Sequence, residues 1–357
     1  MSDDKLITVS PEELIKELGD CVELKIAGGA VGPPGVGKTD IVIQLAKKLG
    51  YDLLITHPVC DDAIDYKGLP AIIDGPDGEK VGKFLPYGHL KDMINATKPL
   101  IVFIDDMGQA LRLVQAAIMQ LLWNRAINGV PVSEHVSFLW ASNRAGDRAG
   151  ADAGMLEPLK SRSYIFQVEA DVNAWIKWAG KKESEGGGDM PPCLTAFMRF
   201  KPELLNDFTP TRDMVNSPNP RNWANLGKAF RYGMSKDGKK GGPMATAAKY
   251  AGAVGDGAAA VFSGFERTWG DLPDMKRVML NPDSEPVPEK LEVLYALSGA
   301  LSYYATPNNL DGLLKYVARM PQEFQVTTLK DMLVRTPKLS ETKAVQNWID
   351  DNVDVVF

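Results

Sequence analysis

Gly32-Pro33-Pro34-Gly35-Val36-Gly37-Lys38-Thr39 fits the phosphate-cradling pattern G-x-x-x-x-G-K-[ST] at every fixed position. Each residue type answers a chemical need. Gly35 and Gly37 let the backbone turn tightly and aim successive N–H groups at phosphate oxygens, with no Cβ in the way. Lys38 reaches β- and γ-phosphates as a point charge, and the Thr39 hydroxyl is a ligand for Mg²⁺. Asp40 closes the run of expected nucleotide-contacting residues. Downstream, Ile41, Val42, Leu45, Ala46 and Leu49 recur at helical spacing, and Gly50 sits where a C-cap glycine belongs. The loop therefore delivers phosphate to a helix N-terminus.

A strand should precede such a loop. Ala27-Gly28-Gly29-Ala30-Val31 is oddly small for a buried strand. Either a large side chain packs on it, or the bulkier residues 22–26 are the strand. Further upstream, Ser10-Pro11-Glu12-Glu13 has the capping Ser, first-turn Pro and acidic residues of a helix start.

The chain has 357 residues, 45% of them apolar and 24% charged, which suits a soluble protein of more than one domain. A net charge of −6 and the lack of basic–aromatic clusters argue against a nucleic-acid partner. Cys21, Cys60 and Cys193 are unpatterned, and His57, His89 and His135 stand alone, so neither a disulfide framework nor a protein-held metal cluster is expected. No stretch approaches 18 consecutive apolar residues and residues 1–10 are polar, which points to a cytoplasmic protein with no membrane segment.

Apolar runs mark further strands at residues 53–56, 136–141 and 164–168, and above all at Leu100–Ile104, continuously apolar as a central parallel strand should be. Helical spacing lies between them, which implies a parallel α/β core through about residue 171. Residues 61–92 are polar and rich in Gly and Pro. They include a hairpin with an Asp/Gly turn at 74–78, either a plain surface feature or one facing a pore or partner. Asn128-Gly129 marks another turn. Beyond 171 the patterns are helical, interrupted by 181–192 and 232–244, which read as mobile glycine-rich loops. Lys239 and Lys240 in the second read as solvated.

ATP hydrolysis needs more than a P-loop, and the chain supplies candidates. Asp105 ends the strongest apolar run, placed to hold Mg²⁺ from a strand next to the P-loop. Asp106 follows as the carboxylate that polarises an attacking water. Asn143, at the end of the next apolar strand, is placed to bridge that water and the γ-phosphate.

The order of these stretches resembles AAA+ ATPases, most closely the MoxR-type branch, whose relatives also occur in phage genomes. Residues 32–39, 101–106, 139–143, 156–162 and Pro220-Arg221 carry the resemblance, joined by 65–70, 115–125 and Asn128-Gly129. It spans roughly residues 7–230. It implies that Lys38 and Thr39 are the Walker A pair, Asp105 the Walker B magnesium carboxylate, and Asn143 sensor 1. Arg162 matches the arginine finger that reaches a neighbour's ATP, with Arg144 and Arg148 close enough to compete for that role. Arg221 matches sensor 2 of the lid. Asp106 departs from the family's Glu by one methylene, which predicts slow hydrolysis, a site completed by a partner, or a switch that binds ATP and seldom hydrolyses it.

The implied organisation is an α/β nucleotide-binding core (1–172), a helical lid (173–245) and a helical C-terminal region (246–357). The resemblance further implies ATP and Mg²⁺ as cofactors and a ring, hexameric in that branch, with ATP at subunit boundaries. Its implied partner is a protein to be remodelled, often one with a von Willebrand A-type domain.

Overall fold

A computed structural model describes residues 7–147, 154–237 and 247–351. The chain forms two compact units: Met1–Glu169 with Pro210–Arg212, and Ala170–Thr209 with Asp213–Phe357.

The first unit runs β1 (Thr8–Val9), α1 (Pro11–Leu24), β2 (Ala27–Val31), α2 (Lys38–Leu49), β3 (Asp52–Thr56), α3 (Ala63–Lys67), β4 (Leu69–Asp74), β5 (Lys80–Leu85), α4 (Gly88–Asn95), β6 (Leu100–Ile104), α5 (Arg112–Asn124), β7 (Ala126–Ile127), β8 (Val130–Pro131), β9 (Val136–Ser142), α6 (Glu157–Lys160) and β10 (Ser163–Val168). Six strands form one parallel sheet in the order β1-β10-β2-β9-β6-β3. Helices cover it, so β9 is buried at all seven positions and β6 at four of five. The core on one side joins Val102 and Ile104 of β6 and Phe138 and Trp140 of β9 to Val114, Ile118 and Leu121 of α5. The β4–β5 hairpin is a separate two-stranded sheet, and β7–β8 is another around Asn128-Gly129.

The small strand is the true one. Residues 21–24 instead close α1, whose N-cap Ser10 makes the expected capping box with Glu13. Lys25 ends that helix in the left-handed region, at φ 58°. The large side chain that β2 needs is Trp140. Gly29 pairs with Trp140 across the ladder, and a Cβ on Gly29 would lie 2.1 Å from the indole. The ring crosses β2 to reach β10, where its Nε1 donates to Ser163 Oγ at 2.9 Å. One side chain thereby ties three adjacent strands, and the glycine is the room it lies in.

The second unit is helical: α7 (Val172–Gly180), α8 (Pro192–Phe200), α9 (Pro220–Asp237), α10 (Ala247–Val254), α11 (Asp256–Thr268), α12 (Met275–Leu280), α13 (Leu291–Tyr304), α14 (Leu310–Val317), α15 (Gln322–Arg335) and α16 (Lys343–Asp351). Its first core centres on Phe197, whose ring lies 5.4 Å from Trp223, 5.0 Å from Phe262 and 5.5 Å from Phe265. Its second gathers Leu297 and Leu301 of α13, Leu313 and Val317 of α14, and Leu329 and Met332 of α15. A bidentate ion pair joins the two: Arg199 Nε donates to Asp331 Oδ2 at 3.0 Å and Nη2 to Oδ1.

Residues 181–192 are not the loose loop their glycines suggest. A 3₁₀ turn at Glu183–Glu185 begins a folded segment. Four backbone bonds pin it: Gly187 to Lys182, Gly188 to Trp178, Asp189 to Lys181 and Met190 to Ala179. The other expected loop begins inside α9, and its basic pair Lys239 and Lys240 lies outside the described residues, as does Arg148. Among the described residues no helix is long and apolar enough to cross a membrane.

Candidate nucleotide-binding site

The glycine-rich turn after β2 adopts the conformation its sequence requires. Gly35 and Gly37 have φ of 78° and 99°, and Gly37 caps the start of α2. Gly32 opens the turn by donating its N–H to Ser142 O at 3.3 Å, so loop and β9 terminus are in register. Asp40 lies exposed in the first turn of α2.

Lys38 is only 6% exposed. Its Nζ donates to the carbonyls of Gly32 and Pro33, at 2.9 and 3.0 Å, and to Asn143 Oδ1 at 2.8 Å. The Thr39 hydroxyl donates to Asp105 Oδ2 at 2.7 Å. Four residues from three elements, α2 and the ends of β6 and β9, thus meet around the P-loop. The strand beside β2 is not the one carrying Asp105, as its sequence position suggested. The strand β9 lies between β2 and β6. Asn143, leaving β9, therefore stands between the two, and the start of α2 reaches across to Asp105.

Asp106 follows in the left-handed region, at φ 55° and ψ 31°. Such backbone is uncommon outside glycine, tolerated by Asp, and concentrated where function constrains the chain. Its N–H donates to Asp105 Oδ1 at 3.0 Å and its Oδ1 accepts from Gln109 Nε2 at 3.0 Å. Ser142 Oγ lies 3.4 Å from Gln109 Oε1 and donates to Asn143 O at 3.0 Å. Gln109 and Ser142 thus connect Asp106 to the end of β9, and sequence reasoning missed both. The signal was Gly108: a Cβ there would lie 2.1 Å from Ser142 Oγ, so the glycine after the acidic pair marks the close approach.

Arg162 and Arg144 are each held by other groups. Arg162 follows α6 with its guanidinium over the Trp123 ring, 3.7 Å from the centroid, and Nη1 donates to Pro158 O at 2.8 Å. None of its contacts among the described residues is with the P-loop cluster. Arg144 is engaged by two carboxylates, with Nε on Asp147 at 2.8 Å and Nη1 on Glu169 at 3.2 Å. Arg221 is exposed in the first turn of α9, in the second unit, where Asn219 Oδ1 caps the helix through the N–H of Asn222.

The oxygen donors of Thr39 and Asp105 are hard ligands of the kind Mg²⁺ takes, alongside waters and phosphate. No cluster of three His, Cys, Asp or Glu suited to holding a metal by itself occurs among the described residues.

No protein-family model matches the chain, and no curated protein matches it. Distant solved structures do. A point mutant of RuvB from Thermotoga maritima is 16% identical, with 84% of each chain covered and a TM-score of 0.41. NtrX from Brucella abortus is 14% identical over 95% of this chain and 67% of its own, with a TM-score of 0.40. The same protein in complex with ADP gives 13%, 97%, 69% and 0.41.

Proposed function

We propose that this chain is a MoxR-like AAA+ ATPase, binding Mg-ATP at subunit boundaries of a ring and hydrolysing it to remodel or assemble a protein partner. The observation that carries the reading is the meeting of Lys38, Thr39, Asp105 and Asn143 around a glycine turn of phosphate-binding shape.

ATP binding exchanges the carbonyl and amide partners of Lys38 for phosphate oxygens, and the N–H groups of the turn and of α2 add their dipoles. Thr39 and Asp105 would hold Mg²⁺, which would supply charge neutralisation for the phosphates when bound. Asp106 accepts the proton of the attacking water, and Asn143, released from Lys38, orients that water. Arg162 serves a neighbouring subunit's phosphates, as the resemblance implies, and Arg221 serves as sensor 2. The lid and C-terminal helices transmit the nucleotide state to the partner, for which a von Willebrand A-type domain is the expectation from the branch. A cytoplasmic, hexameric assembly completes the reading.

A second reading is an ATP-gated binding switch with little turnover. It is favoured by Asp106, which is one methylene shorter than Glu and already engaged by Gln109.

One experiment separates them: ATP turnover per subunit as protein concentration rises, in wild type, Lys38→Ala, Asp106→Asn and Arg162→Ala. The ATPase reading expects turnover that climbs with concentration and collapses in all three variants. Tight ATP binding with flat, near-zero turnover selects the switch. Turnover stimulated by DNA and abolished by salt makes the chain a nucleic-acid motor instead.

A further inference from the structure

Arg162 is held in an unusual way for an exposed arginine. Its guanidinium carbon lies over the indole ring of Trp123, the residue before the last of α5, 3.7 Å from the ring centroid. Trp123 is itself 58% exposed, so its ring is not there to fill a core. The pair lines an open surface cavity of about 520 Å³ with Met119, Glu157, Pro158 and Ser161.

Stacking on a ring face restrains the guanidinium plane through cation–π attraction and leaves its in-plane N–H groups unspent. Of these, Nη1 donates to Pro158 O at 2.8 Å and lies 3.4 Å from Ser161 Oγ. Nε and Nη2 make no hydrogen bond among the described residues. The neighbouring carboxylate, Glu157, is occupied by Lys160 at 3.2 Å. The side chain is thus held against the ring face and anchored at one corner. The Nε–Nη2 edge, the fork that binds phosphate bidentately, is left open.

We infer that Trp123 is a positioning residue that pre-sets the Arg162 fork for a phosphoryl group presented by a second copy of this chain. The inference rests on the role proposed for Arg162. Arginine otherwise samples many rotamers, and catalysis depends on a charge that is already in place when the phosphoryl group transfers. Trp123 supplies that preorganisation without competing for the donors the phosphate needs. A carboxylate in its place would hold the guanidinium as firmly but fill the fork.

The test compares Trp123→Ala, Trp123→Leu, Trp123→Phe and Arg162→Ala in the full chain. All are assayed at protein concentrations where sedimentation shows assembly complete. The expected result is a kcat about fivefold lower in Trp123→Ala and Trp123→Leu, with KM for ATP unchanged and assembly unimpaired. Trp123→Phe, which keeps a ring face, recovers most of the rate. In a second arm, Arg162→Ala subunits are mixed with Lys38→Ala subunits, which cannot turn over ATP but still present Arg162. Turnover returns on mixing, and falls about fivefold when the Lys38→Ala partner also carries Trp123→Ala.

The outcomes distinguish two failures. If Arg162→Ala keeps full activity, or mixing restores none, the role of Arg162 falls and this inference with it. If Arg162→Ala is dead while Trp123→Ala matches wild type, Arg162 stands and the positioning role alone is overturned. It is equally overturned if the Trp123 variants fail by losing assembly, because Trp123 is then an ordinary contact between copies.

Discussion

Lys38 Nζ and Asn143 Oδ1 are 2.8 Å apart, joining the first residue of α2 to the first residue beyond β9. The bond sits in a largely buried setting, where Lys38 is also satisfied by two carbonyls. The residue proposed to orient water is therefore hydrogen-bonded to the residue proposed to bind phosphate. Under the proposed function, a phosphate that draws Lys38 away would free Asn143 and so link binding to activation through this one hydrogen bond.

Asn143→Ala should therefore separate binding from chemistry. Lys38 keeps its two carbonyl partners and loses one competitor for phosphate, so ATP affinity by calorimetry stays within about threefold. Turnover, which needs the amide at the water, falls about 100-fold, the usual effect of removing one oriented polar group from a transition state. Parallel losses of affinity and turnover would make Asn143 a structural support for the loop.

The 2.7 Å bond from Thr39 to Asp105 gives a metal test. Chelating Mg²⁺ should weaken ATP binding at least about tenfold in wild type. Asp105→Asn retains an acceptor for the Thr39 hydroxyl, so the loop stays folded, yet it loses the charge that favours the cation. Its ATP affinity should hardly change with chelation. An Asp105→Asn protein that remains fully Mg²⁺-dependent would move the ligand role elsewhere.

Gly29 leaves no room for a side chain beneath the Trp140 indole. A methyl group on Gly29 meets three indole atoms at 2.1 to 2.5 Å, and the ring cannot withdraw without giving up Ser163. Gly29→Ala should cost about 3 kcal/mol, the upper range of overpacking. Trp140→Ala opens a cavity at a cost of about 4 kcal/mol. In the double variant the clash is gone and the methyl refills part of the space, so the two losses should fall well short of additive in denaturant titration.

Why the sequence left this contact as one of two alternatives explains much of what was legible and what was not. Strand β6 announces itself as five apolar residues, and the turn after β2 as glycines with a lysine and threonine. Those are local statements. Whether 22–26 or 27–31 is the strand depends on an indole far along the chain, on β9. The two-residue β1 is too short to carry a period at all. In residues 61–92, α3 and α4 are hidden by glycines and prolines that serve the hairpin between them. On α15, polar Thr328 and Arg335 are among the buried positions, so no apolar stripe stands out. In the site, Lys38, Thr39, Asp105 and Asn143 stand at motif positions or just past apolar strands, so they could be proposed from their order in the sequence. Gln109 and Ser142 could not, because no motif position assigns them a role and theirs comes only from the neighbours they touch.

The three thiols should differ sharply in reactivity. Burial pushes Cys21 up to about 11 and Cys193 to about 12, with nearby carboxylates adding to each. Thiolate, the reactive form, is therefore scarce on both near pH 8. Cys60 is exposed. Brief iodoacetamide treatment of the native protein, read by mass spectrometry, should modify Cys60 alone, and all three in urea. Early labelling of Cys21 would mean that α1 opens readily from the sheet.

Asp106 sets the last expectation, because two properties of this residue pull against each other. Its left-handed backbone suits Asp or Asn far better than Glu. Its short carboxylate, already accepting from Gln109, falls one methylene short of where a Glu would put its charge. Asp106→Asn keeps the backbone preference and removes the charge, so turnover should fall at least about 100-fold with the melting temperature almost unchanged. Asp106→Glu should do the reverse. It loses about 1 kcal/mol of stability to the left-handed conformation. It also carries the carboxylate further toward the phosphates, where an ångström of placement is worth about 100-fold in rate, so turnover should rise. A slower Asp106→Glu enzyme would show that the rest of the site is already fitted to the shorter acid. The low activity expected of the wild type would then have its cause outside this residue.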